Sequence, residues 1–333
     1  MGSGFAVSAF VGGAAVSLSA SWILVSRLER VGERFGLSEA LLGVVAALAA
    51  DSPEITTAVT ALLHHQRAVG SGVVIGSDVF NLAALLGLGA LVAGHLQLHR
   101  KVVILGGAVA VWVALICLAT VLGLLPPAAA VGLVILVLAP YYLLLGVRPG
   151  RVSRLHLPPR WANWLATAVD EESLELTQAI RPQRGRRRDA VAAATALCVV
   201  IGASVAMELG ASALGRQYQV ASIVVGGLVL AAVTSLPNAV AAVYLAAKGR
   251  GAAAFSTGLN SNTLNVVAGF LIPSALLGLT HQSAPATVIA AWYVGLTGLT
   301  LALAYATRGL RTWSGWMIIG AYAAYVVVLL AIS

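Results

Sequence analysis

The sequence predicts an all-α membrane protein of about ten transmembrane helices, arranged as two inverted five-helix repeats. Three observations lead there. Of 333 residues, 59% are hydrophobic and only 10% are charged, and the mean hydropathy is +0.94. The Lys and Arg residues fall almost entirely on alternate loops. A set of polar motifs recurs once, at a constant offset.

A soluble domain of this length needs far more charge to cover its surface. In lipid no water reaches the backbone, so long apolar runs must satisfy their own hydrogen bonds as helices. The runs are about 20 residues or longer, as a bilayer requires. They lack the period-2 alternation of a membrane barrel. Ten qualify: 5–26, 38–63, 71–95, 101–123, 127–147, 190–212, 219–247, 252–279, 286–306 and 312–332. Pro126-Pro127 opens the fifth and Pro149-Gly150 follows its end, which suits a turn and a helix start. Cys117 and Cys198 lie inside apolar runs and read as small packing residues. No basic region precedes the first apolar stretch, so that stretch is expected to be kept as a helix.

Orientation follows from the basic residues. An outside N-terminus places eighteen of the twenty Lys and Arg in the cytoplasm, nine of them between 148 and 188. Only Arg67 and Arg216 then lie outside. Both termini are therefore expected outside a plasma membrane. High alanine and arginine-rich loops suit a GC-rich bacterial source. The net charge of +8 is a topology signal. It argues against nucleic acid as a partner and leaves the lipid bilayer. The long loop divides the chain into a first repeat (1–147), a cytoplasmic linker (148–189) and a second repeat (190–333). The linker carries Asp170, Glu171, Glu172 and Glu175, then Arg181, Arg184, Arg186, Arg187 and Arg188. It reads as a solvated segment whose basic end lies near anionic lipid. A sharper reading makes it a sensor of cations or lipid.

The repeat has an offset of 184 residues. Ser38, Gly43, Ala47, Pro53, Ala58, Val59, Ser77 and Asn81 match Ser222, Gly227, Ala231, Pro237, Ala242, Val243, Ser261 and Asn265. Matched Pro, Ser and Asn inside apolar runs are costly coincidences. Five spans separate the copies, so they enter the membrane in opposite directions. Inverted-topology repeats of this kind build secondary transporters.

Buried ionisable groups cost roughly 2.5–3.5 kcal/mol each on insertion scales. Asp51, Glu54, Asp78 and Glu208 all fall inside expected spans. The first three lie in the two spans that carry the repeat, so a cation or protons must offset their charge. Glu208, near an outer end, reads as a structural group. Asp51 and Glu54 share a helix face, as do Ser77 and Asn81, and Ser261 and Asn265. Pro53 and Pro237 each remove a helical hydrogen bond and free a carbonyl among polar neighbours. The expected site is lined by Asp51, Glu54, Ser77, Asp78 and Asn81 from the first half. Thr234, Ser235, Asn238, Ser261 and Asn265 line it from the second. Hard oxygens of this kind suit Na⁺, Ca²⁺ or Mg²⁺. Glu54 and Asp51 are the candidate metal ligands. No bound cofactor is expected beyond transported cations such as Na⁺, Ca²⁺ or H⁺. Gly43, Gly76, Gly226 and Gly227 permit close helix approach. His64 and His65 sit at an outer end and face different ways.

These strings resemble the α-repeats of the cation/Ca²⁺ exchanger superfamily, which includes the sodium/calcium exchangers. That pattern is Gly-Thr-Ser-x-Pro-Glu, then Gly-Ser-Asn-x-x-Asn/Asp about two dozen residues on. The first copy reads Ala49-Ala50-Asp51-Ser52-Pro53-Glu54 and Gly76-Ser77-Asp78-Val79-Phe80-Asn81. The second reads Val233-Thr234-Ser235-Leu236-Pro237-Asn238 and Asn260-Ser261-Asn262-Thr263-Leu264-Asn265. The resemblance implies a secondary cation antiporter with alternating access around a midplane site. It also implies that the first and sixth helices slide across the core. Glu54 matches one of two anchoring glutamates, while Asn238 stands at the other. Asp51 replaces a serine and Asp78 an asparagine, so carboxylates gather in the first half. Two other readings stay open: proton-coupled exchange of a monovalent or other divalent cation, and an intramembrane aspartyl enzyme using Asp51 and Asp78. The second copy, with Ser235 and Asn262 at those places, argues against the enzyme.

Overall fold

The computed structural model describes residues 2–34, 39–146, 158–179, 186–278 and 283–333. Ser38, Pro149-Gly150 and the linker residues Arg148, Arg151, Arg154, Arg181 and Arg184 lie outside the described residues. The first half runs through α1 (Ser3–Arg34), α2 (Glu39–Ala50), α3 (Ser52–Leu63) and α4 (Arg67–Asn81). A π-helical stretch (Leu82–Leu88), α5 (Gly89–Ala93), β1 (His95–Gln97), α6 (Arg100–Val121) and α7 (Pro127–Gly146) follow. A further helix, α8 (Pro159–Ala179), lies in the linker. The second half begins with α9 (Arg187–Gln217) and α10 (Ser222–Val224). It continues through a π-helical stretch (Val225–Leu230), α11 (Ala231–Thr234), α12 (Leu236–Ala247) and α13 (Gly251–Asn265). A π-helical stretch (Val266–Leu271), α14 (Ile272–Leu277), α15 (Ala284–Ala306), β2 (Gly309–Arg311) and α16 (Thr312–Ala331) complete it.

All ten expected crossings are helical. Among the described residues, seven helices are long and apolar enough to cross a membrane alone, and an eighth crossing is the pair Ser222–Thr234 and Leu236–Ala247, bent by 46°. The other two, α2 with α3 and α13 with α14, are the crossings that carry Asp51 to Glu54 and Asn260 to Asn265. The repeat extends beyond the motifs. The bounds of α12 and α13 are those of α3 and α4 moved by 184 residues, and the starts of α9 and α15 match those of α1 and α6 in the same way. The π-helical stretches at Leu82 and Val266 also correspond. Such insertions widen a helix and gather at functional sites.

The second and seventh crossings both break half-way. Asp51 (φ −78°, ψ −6°) and Ser235 (φ −84°, ψ −5°) take the same conformation at equivalent positions. The prolines therefore head a new half-helix two residues later and do not interrupt a continuous one. Proline is well suited to a first turn, where its missing N–H is no loss. The freed carbonyl expected at Pro53 is present, and side chains rather than the site take it up. The Ala49 carbonyl that Pro53 leaves open accepts from Ser52 Oγ at 2.7 Å and Ser21 Oγ at 3.3 Å.

The third crossing is the centre of the bundle. The apolar window of Arg67–Ala93 is 89% buried, against 28% for those of α1 and α9. Glycines let α4 meet the Val225–Leu230 stretch backbone to backbone. A Cβ added at Gly76 would lie 2.5 Å from the Gly227 carbonyl oxygen, and one at Gly226 would lie 2.3 Å from that of Val69. The long helices α1 and α9 pack together through Gly13, Gly210 and a 2.7 Å Ser17–Ser204 hydrogen bond.

One end of the bundle gathers the basic segments. There β1 pairs antiparallel with β2, Leu96 opposite Leu310, a ribbon the sequence did not suggest. Gly309 (φ +139°) is needed there, since a Cβ would fall 2.0 Å from the Leu96 carbonyl oxygen. Arg100 stacks over Tyr305, and Arg27 pairs with Asp189 at 2.7 Å. The opposite end is closed by Ser212 donating to Gln66 at 2.8 Å and Gln217 to Ser3 at 2.8 Å. The linker is not simply solvated: α8 docks on the bundle at the basic end, with Glu172 and Glu175 buried.

Candidate functional site

The two broken crossings and the two helices that follow them meet at the centre. Asp51 and Glu54 come from the α2–α3 break, Ser77, Asp78 and Asn81 from the last turn of α4. Thr234, Ser235 and Asn238 come from the α11–α12 break, Ser261, Asn262 and Asn265 from the last turns of α13. All of these side chains are buried. The small residues before each break, and the turn of the broken backbone, bring short polar side chains to the helix ends.

The hydrogen bonds cross between the halves. Asp51 Oδ1 accepts from Ser261 Oγ at 2.6 Å and Asn238 Nδ2 at 2.7 Å. Glu54 Oε1 accepts from Ser235 Oγ at 2.6 Å. Asn265 Nδ2 donates to Ser77 Oγ at 2.8 Å and Asp78 Oδ1 at 3.1 Å. Asn81 Nδ2 donates to Asn262 Oδ1 at 3.0 Å, and Asn262 Nδ2 donates to the Asp78 carbonyl at 2.9 Å. Eight of the ten predicted residues thus bond to one another, and Asn81 joins them through Asn262. Thr234 is the exception: its hydroxyl donates back to the Leu230 carbonyl at 2.9 Å.

Five acceptors remain without partners in this buried cluster: Asp51 Oδ2, Glu54 Oε2, Asp78 Oδ2, Asn81 Oδ1 and Asn265 Oδ1. An orphaned buried oxygen costs about 1–3 kcal/mol, and more if charged. Three carboxylate and two amide oxygens are the hard donors that Na⁺ or Ca²⁺ takes. Among the described residues, no three His, Cys, Asp or Glu side chains converge closely enough to hold an ion unaided. A cation here would need the mixed set, with amide and hydroxyl oxygens beside the carboxylates. Asp51 and Asp78 bond to different partners, which is not the shared-proton geometry of an aspartyl dyad.

Two groups escaped the sequence reading. Asn262 was legible, since it is the repeat partner of Asp78. The α8 carboxylates were not. Glu172 Oε1 accepts from Tyr141 Oη at 3.1 Å and Asn260 Nδ2 at 3.2 Å. Glu175 accepts from Ser256 Oγ and faces His99 at 3.7 Å. Asn260 adjoins Ser261, so the linker helix reaches the base of the site helix. Burial, then the neighbouring Glu175, pushes the Glu172 carboxyl up to about 8. Burial likewise raises Glu175.

The family model for sodium/calcium exchanger proteins matches residues 5–148 and 190–331, which leaves out the linker. The chain belongs to the sodium/calcium exchanger protein family. That family is one of membrane transporters, which sets aside the aspartyl-enzyme reading. CaxA of Alkalimonas amylolytica, whose given name proposes an antiporter, is 32% identical over 82 residues, 24% of this chain and 26% of that protein. The chain therefore matches about a quarter of that curated relative's length. Two solved structures share the fold across nearly the whole chain. The sodium-calcium exchanger NCX_Mj, soaked with Na⁺ and Sr²⁺, aligns over 98% of this chain and 99% of its own, with a TM-score of 0.57 and 18% identity. The H⁺/Ca²⁺ exchanger CAX aligns over 98% and 87%, with a TM-score of 0.67 and 13% identity.

Proposed function

We propose that this exchanger carries one cation at a time through the cluster of Asp51, Glu54, Asp78, Asn81 and Asn265, with Na⁺ or H⁺ as the counter-ion. The single observation behind this is the set of five buried, unpartnered oxygens, supplied by the first half-way break and by the last turns of α4 and α13, so that both repeats contribute. Three carboxylates in a dry site require positive charge. A divalent cation supplies most of it, and protons or Na⁺ supply it when that cation leaves. Ca²⁺ is the divalent cation that this donor set and the family favour.

Alternating access is supported by unequal burial of equivalent faces. Ser52 and Thr60 on α3 are 7% and 6% exposed beneath α9. Their counterparts on α12, Leu236 and Tyr244, are 44% and 47% exposed, with Val240 at 61% between them. The α12 face toward the basic end is thus less covered than the equivalent face of α3. Exchanging these two environments, by sliding α1 and α9 together, would present the site to the other side. With the N-terminus outside, the basic end is cytoplasmic.

Proton coupling is favoured by one further feature. Asn238 stands where a second glutamate would balance Glu54, so the negative charge lies in the first repeat alone. The test is flux in liposomes holding the purified chain. An imposed Na⁺ or H⁺ gradient should drive uptake of labelled Ca²⁺, and Glu54→Gln should abolish it. Flux of no cation under either gradient, at two pH values, would overturn the transport site.

A further inference from the structure

A second polar site lies away from the cation cluster, at the basic ends of α1 and α9. Arg27, Arg30, Arg186, Arg188, Asp189 and Ala192 line a cavity of about 580 Å³. Among the described residues, its four arginines share a single carboxylate, Asp189. Asp189 is buried, and its oxygens are already occupied. Oδ1 pairs with Arg27 at 2.7 Å and Arg30 at 3.9 Å, while Oδ2 accepts the Arg186 backbone N–H at 2.7 Å. Among the described residues, no carboxylate partners the Arg186 or Arg188 side chains. Asp189 therefore fixes the wall of the cavity without neutralising it.

We propose that this cavity binds a phosphate-bearing anion, bridging α1 and α9. Arginine forks match tetrahedral oxyanions, and several guanidinium groups sharing one anion are the usual solution for a phosphate. The cavity opens at the start of a membrane-crossing helix. Val191, beside Ala192, is 68% exposed, and so is Trp22 of α1 at 63%. A basic pocket at the ends of two helices that carry exposed apolar side chains further along matches a phospholipid, whose headgroup and acyl chains separate there. Soluble phosphate offers the same chemistry without the acyl chains. Either one would tie together the basic ends of the two helices that flank the core.

The test uses the full chain in phosphatidylcholine–detergent micelles. The thermal unfolding midpoint is read with phosphatidylglycerol added, with inorganic phosphate added at matched ionic strength, and with neither. Phosphatidylglycerol should raise the midpoint by about 2–4 °C. The double variant Arg186→Gln/Arg188→Gln should lose that rise while unfolding normally in phosphatidylcholine alone. The control Arg160→Gln/Arg311→Gln, which removes two exposed charges elsewhere, should keep it. An equal rise with inorganic phosphate would assign the site to a soluble anion. Equal responses of the wild type and the double variant would overturn the proposal, as would loss of the rise in the control or no response to either addition.

Discussion

Replacing Asp51 with Asn separates the fold from the function at one atom. In the wild type, Oδ1 takes both hydrogen bonds, from Ser261 at 2.6 Å and Asn238 at 2.7 Å, and Oδ2 takes none. The Asn amide oxygen can keep the first position and both donors. Turning two charge-assisted bonds into neutral ones weakens each by roughly 1–1.5 kcal/mol, about 2–3 kcal/mol together. Removing a buried charge offsets this by several kcal/mol. The cation-free variant should therefore melt at or above the wild-type temperature. Its amide NH₂, however, replaces Oδ2 and points a donor where a cation needs an oxygen. A ligand loss of only about 2.7 kcal/mol would lower the rate about 100-fold. Wild type with Ca²⁺ at 100 times its dissociation constant should gain about 2.7 kcal/mol of stability, and the variant should gain little. Two measurements decide the matter: unfolding with and without Ca²⁺, and gradient-driven uptake in liposomes. A variant that melts well below the wild type without cations, or transports at the wild-type rate, would refute the reasoning.

Three further outcomes follow from the same geometry. Gly76→Ala places a methyl group 2.5 Å from the Gly227 carbonyl oxygen and 2.7 Å from its Cα, both backbone atoms, so the two segments must separate. Thermal unfolding should show a loss of about 1–3 kcal/mol, while Gly4→Ala, which meets nothing, should show none. The Glu172 carboxyl is raised from 4.5 to about 8, so docked α8 holds that proton more tightly than a released chain does. Docking should be firmest below about pH 4.5 and weaken as pH rises through about 8. Protection of the α8 amides, corrected for the intrinsic pH dependence of exchange, should be lower at pH 8.5 than at pH 5.5 in the wild type and fall less in Glu172→Gln, where only Glu175 stays raised; equal wild-type protection at both would contradict the assignment. Ser212→Ala removes the bonds to Gln66 at 2.8 Å and Glu208 at 2.7 Å, leaving Glu208 only His64 at 3.8 Å. The closed end should loosen by about 1–3 kcal/mol, and a Thr60→Cys thiol should then label faster.

Much of the architecture was legible because lipid is an unforgiving solvent. Any apolar run long enough to cross must be a helix, so ten crossings could be read one by one from hydropathy. The repeat was legible because Pro, Ser and Asn are rare in such runs, and the matched motifs placed Asp51 opposite Ser235 and Asp78 opposite Asn262. Those matches named nearly all of the central cluster, since inverted copies meet at their breaks.

The sequence by itself determined the apolar crossings, the repeat and the residue types of the site. Each depends on local properties: hydropathy over one span, or polar residues at fixed spacing. The tertiary structure alone decided which oxygens stay free. Asp51 gives one oxygen to Ser261 and Asn238 and leaves the other open, and that depends on where four separate helices stop. It also decided the place of α8. A run with Asp170, Glu171, Glu172 and Glu175 belongs in water by composition. Buried Tyr141, Ser256 and Asn260 hold Glu172 and Glu175 against the bundle instead, from elements far apart in the chain. The unequal covering of α3 and α12 is likewise beyond the sequence. Two nearly equivalent faces share one pair of covering helices, and α9 seals the first while the second stands open.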